Sequence, residues 1–288
     1  KGLDFVKTKY NGMFASSRLQ DATDTFPKFA WHELKLGNVL GKGGFGTVSE
    51  VKAIDMDPSV GSTSFRKSSE REEQPPAVAA APPPLTSAHS AGRLSFFVNK
   101  DDVNSPHGNA DDDEEVDDME SRQFIQQHCI RQGGDARYAV KVLSPEVVQN
   151  TALFLQGVLD LAVEARFLSD MEHPHIIKLR ALGRQSPFEN ANAYQFFLVL
   201  DRLYDTLERR LEKWQGEGRK IGGGFGAAAK KKAATQFQAF YQKRIVVAYD
   251  LATAMEYLHK IDICYRDLKP ENIGFDIRDD VKLFDFGL

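Results

Sequence analysis

The chain has 288 residues, 42% of them hydrophobic and 27% charged, with a formal net charge of −4, which suffices for one or two packed domains. No apolar run approaches the length needed to cross a bilayer, so a membrane segment is excluded. The two cysteines, Cys129 and Cys264, are far apart and lack metal-ligand spacing, which excludes a disulfide framework and suits a reducing intracellular setting, cytoplasmic or nuclear.

Residues 1–34 read as an N-terminal flank. From Trp31 to Ile54 the pattern is strand-like: Leu34, Leu36 and Val39-Leu40 lead into Gly41-Lys42-Gly43-Gly44-Phe45-Gly46, and Thr47-Val48 and Val51 follow. Glycines between two strand patterns predict a hairpin with a flexible tip. Residues 55–135 are rich in Pro, Ala and Ser and then in acid, with few apolar residues at any period. Such a segment buries too little surface to offset its ordering entropy, and it is expected to be a disordered insertion. A short helix near Met119–Ile130 is the exception, because Phe124, Ile125 and Cys129 fall at helical spacing.

The acidity of the chain is local. Residues 101–120 hold ten acids and no Lys or Arg, so the remainder carries +6 (−4 less −10). That mild basicity suits an anionic nucleotide and is too weak to argue for nucleic acid.

Order is expected again at Tyr138–Leu143, a strand, followed by a helix over Ala152–Met171 with Leu155, Val158, Leu159, Ala162, Ala165 and Leu168 on one face. His173-Pro174 ends that helix, and Ile176–Leu179 and Phe196–Leu200 read as strands. A short helix, Tyr204–Trp214, runs into Gly- and Lys-rich low complexity at 216–233, a second insertion. A long amphipathic helix then carries Phe240, Ile245, Val247, Leu251, Met255 and Leu258.

The chemistry concentrates near the end. Tyr265-Arg266-Asp267-Leu268-Lys269-Pro270-Glu271-Asn272 is followed thirteen residues after Asn272 by Asp285-Phe286-Gly287. Two acids and an Asn across a loop and a nearby turn are what magnesium–nucleotide phosphoryl transfer requires. One Asp takes or orients the proton of the attacking hydroxyl, while the Asn and the second Asp hold metal.

In this order the motifs resemble the eukaryotic protein kinase catalytic domain over roughly residues 35–288, interrupted twice. The resemblance implies an α+β, two-lobed fold: a complete small β-rich lobe (35–54 and 136–200), and a hinge with a truncated helical large lobe (201–288). It also implies ATP and Mg2+ as cofactors. Gly41, Gly43 and Gly46 would cover the phosphates, with Lys42, Gly44, Phe45 and Thr47 completing the loop and Phe45 shielding the phosphates from water. Lys141, after Ala139 and Val140, looks like the lysine that holds the α- and β-phosphates. Its partner would be Glu164, nine residues before His173; Glu146 and Glu172 compete for that role.

Asp201 and Leu203 would belong to the hinge, whose backbone binds adenine, and Leu40, Val48, Ala139 and Leu203 would line an apolar slot. Asp267 would be the base, Lys269 would neutralise the transferring phosphoryl group, and Asn272 and Asp285 would hold magnesium. Lys269 two residues after Asp267 resembles serine/threonine kinases, so the expected substrates are protein Ser/Thr hydroxyls. Tyr265 stands where the family most often has His, a position that packs on Phe286. Arg266 hints at control by phosphorylation.

Other readings are weaker. A nucleotide-binding pseudokinase or scaffold would rest on Tyr265 and the acidic insertion. A dinucleotide-dependent oxidoreductase fails, because a strand rather than a helix follows the glycines. His173 and His175 read as packing residues, not metal ligands. Gly222–Gly226 reads as a linker and Lys230–Lys232 as a solvated run, and a basic regulatory partner for the acidic tract stands beside the reading of an inert loop. The chain starts at Lys1 and ends one residue past Gly287, as a fragment would. Active in an intact parent, residues 1–288 alone are expected to be poorly soluble and inactive, the helix around Ile245–Leu258 exposing apolar surface.

Overall fold

The computed structural model describes residues 1–19, 21–56, 110–188, 196–221 and 227–287. The α+β class holds, as a β-sheet lobe with helical segments around it. Strands β1 (Lys28–Phe29), β2 (Leu34–Lys42), β3 (Gly46–Ile54), β4 (Tyr138–Leu143), β5 (Leu179–Gly183) and β6 (Leu198–Asp201) form one six-stranded sheet in the order β1-β5-β6-β4-β3-β2. Only β1 and β5 pair in parallel. A smaller sheet joins β7 (Asp205–Thr206), β8 (Ile273–Phe275) and β9 (Val281–Leu283).

Strand β4 lies between β3 and β6, so both its edges are hydrogen-bonded. Its side chains alternate as a pleat requires. Tyr138, Val140 and Val142 enter an outer cluster with Phe29, Val51 and Phe197, while Leu143 enters the main core beneath the sheet. Lys141 shares that inner face, in register with Val48 of β3 and Leu198 of β6.

After the single turn α3 (Pro145–Val148), helix α4 (Thr151–Asp170) forms where the periodicity places it, capped by Asn150, whose side chain accepts from the amides of Ala152 and Leu153. It is more buried than one apolar face requires: every residue from Gly157 to Ala165 is inaccessible. The cause is α1 (Gly2–Phe14), within the segment read only as a flank. Leu3, Val6, Tyr10 and Phe14 form a stripe at helical spacing that packs on α4. The flank also supplies β1, whose Phe29 is fully buried and lies in register with Gly183.

The reading of 55–135 as a disordered insertion needs correction at its C-terminal end. Helix α2 (Ala110–Gln127) reaches well before Met119, and its last turns are anchored to the sheet by Ile125 and Cys129. Residues 57–109 of that insertion lie outside the described residues. Arg122 is what ties α2 down. Its guanidinium lies 2.6 Å from Glu33 and 5.2 Å from the centre of the Phe29 ring, and both charged side chains are almost inaccessible. Glu33 also accepts from the Ala30 amide at 2.7 Å.

Removing one partner of such a buried pair leaves the other charge uncompensated. Arg122→Ala is therefore expected to cost about 3–5 kcal/mol, read as a lowered denaturant midpoint. An unchanged midpoint would show that α2 does not brace the sheet.

Three further expectations shift. Ile176-Ile177 is not a strand; Ile176 makes one parallel bridge to Leu283, and β5 starts at Leu179. Helix α5 (Leu207–Lys220) starts after Tyr204 and continues past Trp214 into the low-complexity segment. The long helix α6 (Ala227–Lys260) begins within the same segment, so only the run around Gly222–Gly226 lies outside the described residues.

Candidate active site

The site is assembled where β4, α4 and the two loops flanking the small sheet converge. Lys141 projects from the centre of β4, and its Nζ lies 2.5 Å from Glu164 Oε2 and 2.7 Å from Asp285 Oδ1. Burial alone would lower the pKa of this ammonium, but the charges and hydrogen bonds of Glu164 and Asp285 outweigh that and hold it well above the ordinary lysine value. Of the three carboxylates weighed as its partner, Glu164 takes the role. Glu146 bonds to Ser144 instead, and Glu172 pairs with Lys178.

Asp285 reaches Lys141 because β8 and β9 form a hairpin that continues one step further, the Phe284 amide donating to the Asn272 carbonyl at 3.1 Å. The segment after α4 stitches β9 in place, with the Leu283 amide on the His175 carbonyl and the Ile177 amide on the Leu283 carbonyl. His173 and His175 serve packing here: His173 stacks on Tyr257, and His175 bridges the Val281 carbonyl and Asp250. At Asp285 the backbone turns into the left-handed region, φ 66°, as it does at Arg266, φ 60°. Such backbone costs about 1–2 kcal/mol per non-glycine residue and concentrates where geometry serves function.

The second half of the site is the loop after α6. Asp267 Oδ2 accepts from Lys269 Nζ at 2.7 Å and from Asn272 Nδ2 at 2.7 Å. The hydrogen bond from Lys269 holds the Asp267 carboxyl below the ordinary aspartate value; burial opposes it, and the hydrogen bond from Asn272 acts on the lowering side. Asp267 is thus an exposed, ionised carboxylate, which is what accepting a proton requires. Lys269 in turn is raised, chiefly by Asp267 and further by the charge of Asp285, so the two halves of the site feel each other.

Glycine matters at Gly46. A Cβ there would lie 3.0 Å from the Val142 carbonyl and 3.7 Å from the Lys141 side chain, so the loop closes directly over the lysine. Gly41 and Gly44 face open space, a Cβ at Gly43 would lie 3.8 Å from the Gly46 carbonyl, and the Gly43 amide bonds that carbonyl across the turn. Phe45 departs from expectation. It does not hang over the cleft: its side chain packs into the main core near Gly157 of α4, and its carbonyl accepts from the Ser144 amide. Lys42 and Thr47 face each other across the hairpin.

Among the residues expected to line an apolar slot, Ala139 is buried and Leu40, Val48 and Leu203 are half-buried. Leu203 lies against Gly274 of β8, where any added Cβ would collide with it. The Asp201 carboxylate is held by Arg180 through two 2.8 Å contacts, and its amide donates to the Lys178 carbonyl at 3.1 Å.

One residue with a part in the site was not anticipated, and another does more than expected. Asp160, one turn before Glu164 on α4, is buried against Gly287 and accounts for the glycine there. The i, i+4 spacing from Glu164 was the available signal. Tyr265 does more than fill space. Its ring packs edge-on against Phe286 with centroids 5.0 Å apart, and its hydroxyl donates to the Phe284 carbonyl at 2.5 Å. Tyr265→Phe should keep the ring contact and lose only the hydrogen bond, about 0.5–1.5 kcal/mol. Tyr265→Ala should lose about 3–5 kcal/mol, so equal thermal shifts for the two variants would contradict this assignment.

The oxygens of Asn272 and Asp285 are hard donors, suited to Mg2+. Among the described residues no group of three or more His, Cys, Asp and Glu is arranged to hold a metal ion. Mg2+ ordinarily keeps several waters and takes the rest of its shell from one or two carboxylates and from phosphates. Asn272 and Asp285 beside an ammonium under a glycine turn fit that arrangement.

Comparison with known proteins agrees with this geometry. The family model described as protein kinase domain matches residues 126–288, more than half the chain and beginning after the glycine hairpin. The chain is similar to cAMP-dependent protein kinase type 3 of Saccharomyces cerevisiae, 32% identical over 169 residues, 57% of this chain and 33% of the relative. It is similar to a cGMP-dependent protein kinase of Toxoplasma gondii, 33% identical over 157 residues, 53% and 12% of the two chains. With cyclin-dependent kinase 1 of Encephalitozoon cuniculi it shares 33% identity over 125 residues, 43% and 34% of the two chains. The chain thus spans about a third or less of the length of these relatives.

Proposed function

The chain belongs to the protein kinase domain family, and from that premise we propose that its intact parent transfers the γ-phosphoryl group of ATP to Ser/Thr hydroxyls of protein substrates. The observation that carries this reading is Lys141 held between Glu164 and Asp285 at 2.5 and 2.7 Å, with the Asp267–Lys269–Asn272 group beside it. Lys141 would bind the α- and β-phosphates, aimed by Glu164. Asp267 would orient the substrate hydroxyl and take its proton, and Lys269 would offset charge on the group in transit. Asn272 and Asp285 would hold Mg2+, whose positive charge would offset that of the phosphates. Lys269 two residues past Asp267 supports Ser/Thr over Tyr as acceptor.

Two unpaired thiols, Cys129 and Cys264, support an intracellular, reducing location, cytoplasmic or nuclear. The acid-rich sequence of 101–120 supports a basic regulatory partner. The test is transfer of radiolabelled phosphate from ATP to a mixture of Ser/Thr peptides by the intact parent. Magnesium-dependent ATP binding without transfer would favour the scaffold reading instead.

For residues 1–288 alone, we propose no substantial transfer and a tendency to associate. Phe237, Tyr241, Ile245 and Tyr249 form an i, i+4 stripe on α6, each 47–68% exposed. A contiguous apolar stripe of that kind marks a face that is normally covered. The chain is expected to elute above its monomer mass, and Ile245→Lys with Tyr249→Glu should shift it back. A monodisperse monomer by light scattering would contradict this.

A further inference from the structure

Helix α4 carries Glu164 on one side and Arg166 on the other, since two residues advance about 200° around a helix. Glu164 faces Lys141. Arg166 is gripped by the N-terminal segment from three directions: Nη1 lies 3.1 Å from Asp21 Oδ2, Nη2 lies 3.2 Å from the Leu19 carbonyl, and the guanidinium stands 4.4 Å from the centre of the Phe14 ring. Along the same contact Val6, Tyr10 and Phe14 are buried, Phe14 meets Phe167 edge-on at 5.5 Å, and Tyr10 packs on Phe188 at 5.1 Å. The segment then reaches the end of α6 through Arg18 and Asp262, 3.1 Å apart and solvent-exposed. Three residues further on is Tyr265, at the head of the catalytic loop.

A rotation of α4 that carried Glu164 away from Lys141 would have to pull Arg166 out of this seat and separate the aromatic stripe. We infer that residues 2–19 together with Asp21 are a built-in strap that fixes the rotation of α4, with Arg166 as the positioning residue through which the strap holds Glu164 on Lys141. This deepens the proposed function, because it rests on the Lys141–Glu164 pair being the group that orients nucleotide phosphates.

The test compares amide hydrogen exchange and Mg–ADP affinity in the unaltered 288-residue chain and in Tyr10→Ala, Arg166→Ala and Asp21→Asn. Tyr10→Phe is the conservative rescue, and Phe5→Ala, on the exposed side of α1, is the control. Tyr10→Ala and Arg166→Ala should accelerate exchange across residues 158–168 about tenfold or more while strands β4 and β6 keep their protection, the pattern of a local opening. Mg–ADP should bind several-fold more weakly in the same variants, with Tyr10→Phe and Phe5→Ala unchanged. If Tyr10→Ala does not fold, Asp21→Asn removes only an accessible carboxylate and should show a smaller change in the same region.

Unchanged exchange in α4, or acceleration spread equally over β4 and β6, would overturn the inference. Failure of the unaltered chain to bind Mg–ADP would sink the nucleotide reading instead. The exchange pattern, measured without ligand, would still decide whether the strap holds α4.

Discussion

Asp267→Asn in the intact parent is expected to lower phosphoryl transfer about 10²–10⁴-fold, the usual worth of a positioned acid–base group, while Mg–ADP binding stays nearly the same. The substitution preserves shape and leaves an oxygen for Lys269 and Asn272, which lie 2.7 Å from Asp267 Oδ2. What it removes is a group able to accept a proton. Because Asp267 is exposed, its loss should leave the denaturation midpoint where it was.

The sign of the pH effect follows from the same contacts. Lys269 and Asn272 favour the ionised form, so the acid limb of the kcat profile should lie below the ordinary aspartate value of 3.8. Lys269→Met removes the larger of those influences and should move that limb upward. Transfer that survives Asp267→Asn undiminished, or a limb that Lys269→Met does not move, would remove Asp267 from the role of base.

Lys141→Met is expected to abolish transfer and also to weaken the fold, by about 3–5 kcal/mol, because it strands a buried partner. Glu164 is 1% exposed and would lose the cation 2.5 Å from it. Burial already pushes the Glu164 carboxyl above its ordinary value of 4.5, with Lys141 as the chief opposing influence. Without Lys141 the folded form would hold the proton more tightly still. A carboxyl whose folded-state pKa is raised contributes stability that is complete below its unfolded value and is lost as pH rises through the folded value.

The destabilisation of Lys141→Met should therefore be small near pH 4.5 and grow towards neutrality, read from denaturant midpoints at several pH values. Adding Glu164→Gln should recover much of the stability and none of the transfer. A penalty that does not change with pH would mean that Glu164 is not stranded as the geometry requires.

Much of this site was legible before any coordinates. The carboxylates, Asn and Lys of residues 265–285 stand in the pattern that metal-assisted phosphoryl transfer requires, and their order after the glycine loop carries the resemblance to protein kinases. Strands β2, β3 and β4 and helices α4 and α6 follow from periods of two and of about three and a half. Helix α1 was legible in principle, since Leu3, Val6, Tyr10 and Phe14 repeat at helical spacing. It is passed over because thirteen residues with no cap and modest amphipathicity make a weak signal by themselves. The end of the first insertion was misread for a related reason. Residues 110–120 are almost all acid, and composition averages hide the single Arg122 that fastens the helix to the sheet.

Phe45 shows the opposite failure. Its place at the tip of a glycine loop suggests a lid over the phosphates, yet the half-buried side chain packs against the main core beside Gly157. Burial of an aromatic outweighs an exposed position above a polar cleft.

By itself the sequence determined which chemistry this chain can support and where its strands and main helices run, because residue type and local periodicity act over a few positions. Tertiary structure alone decided that Glu164 rather than Glu146 or Glu172 meets Lys141, that Asp285 joins them across 144 positions, and that Arg122 meets Glu33 across 89. Glu164 and the Arg122–Glu33 pair are almost wholly removed from water, while Asp285 stays 42% exposed. Desolvation acts through space on whichever charges the fold brings together, and no local pattern along the chain records it.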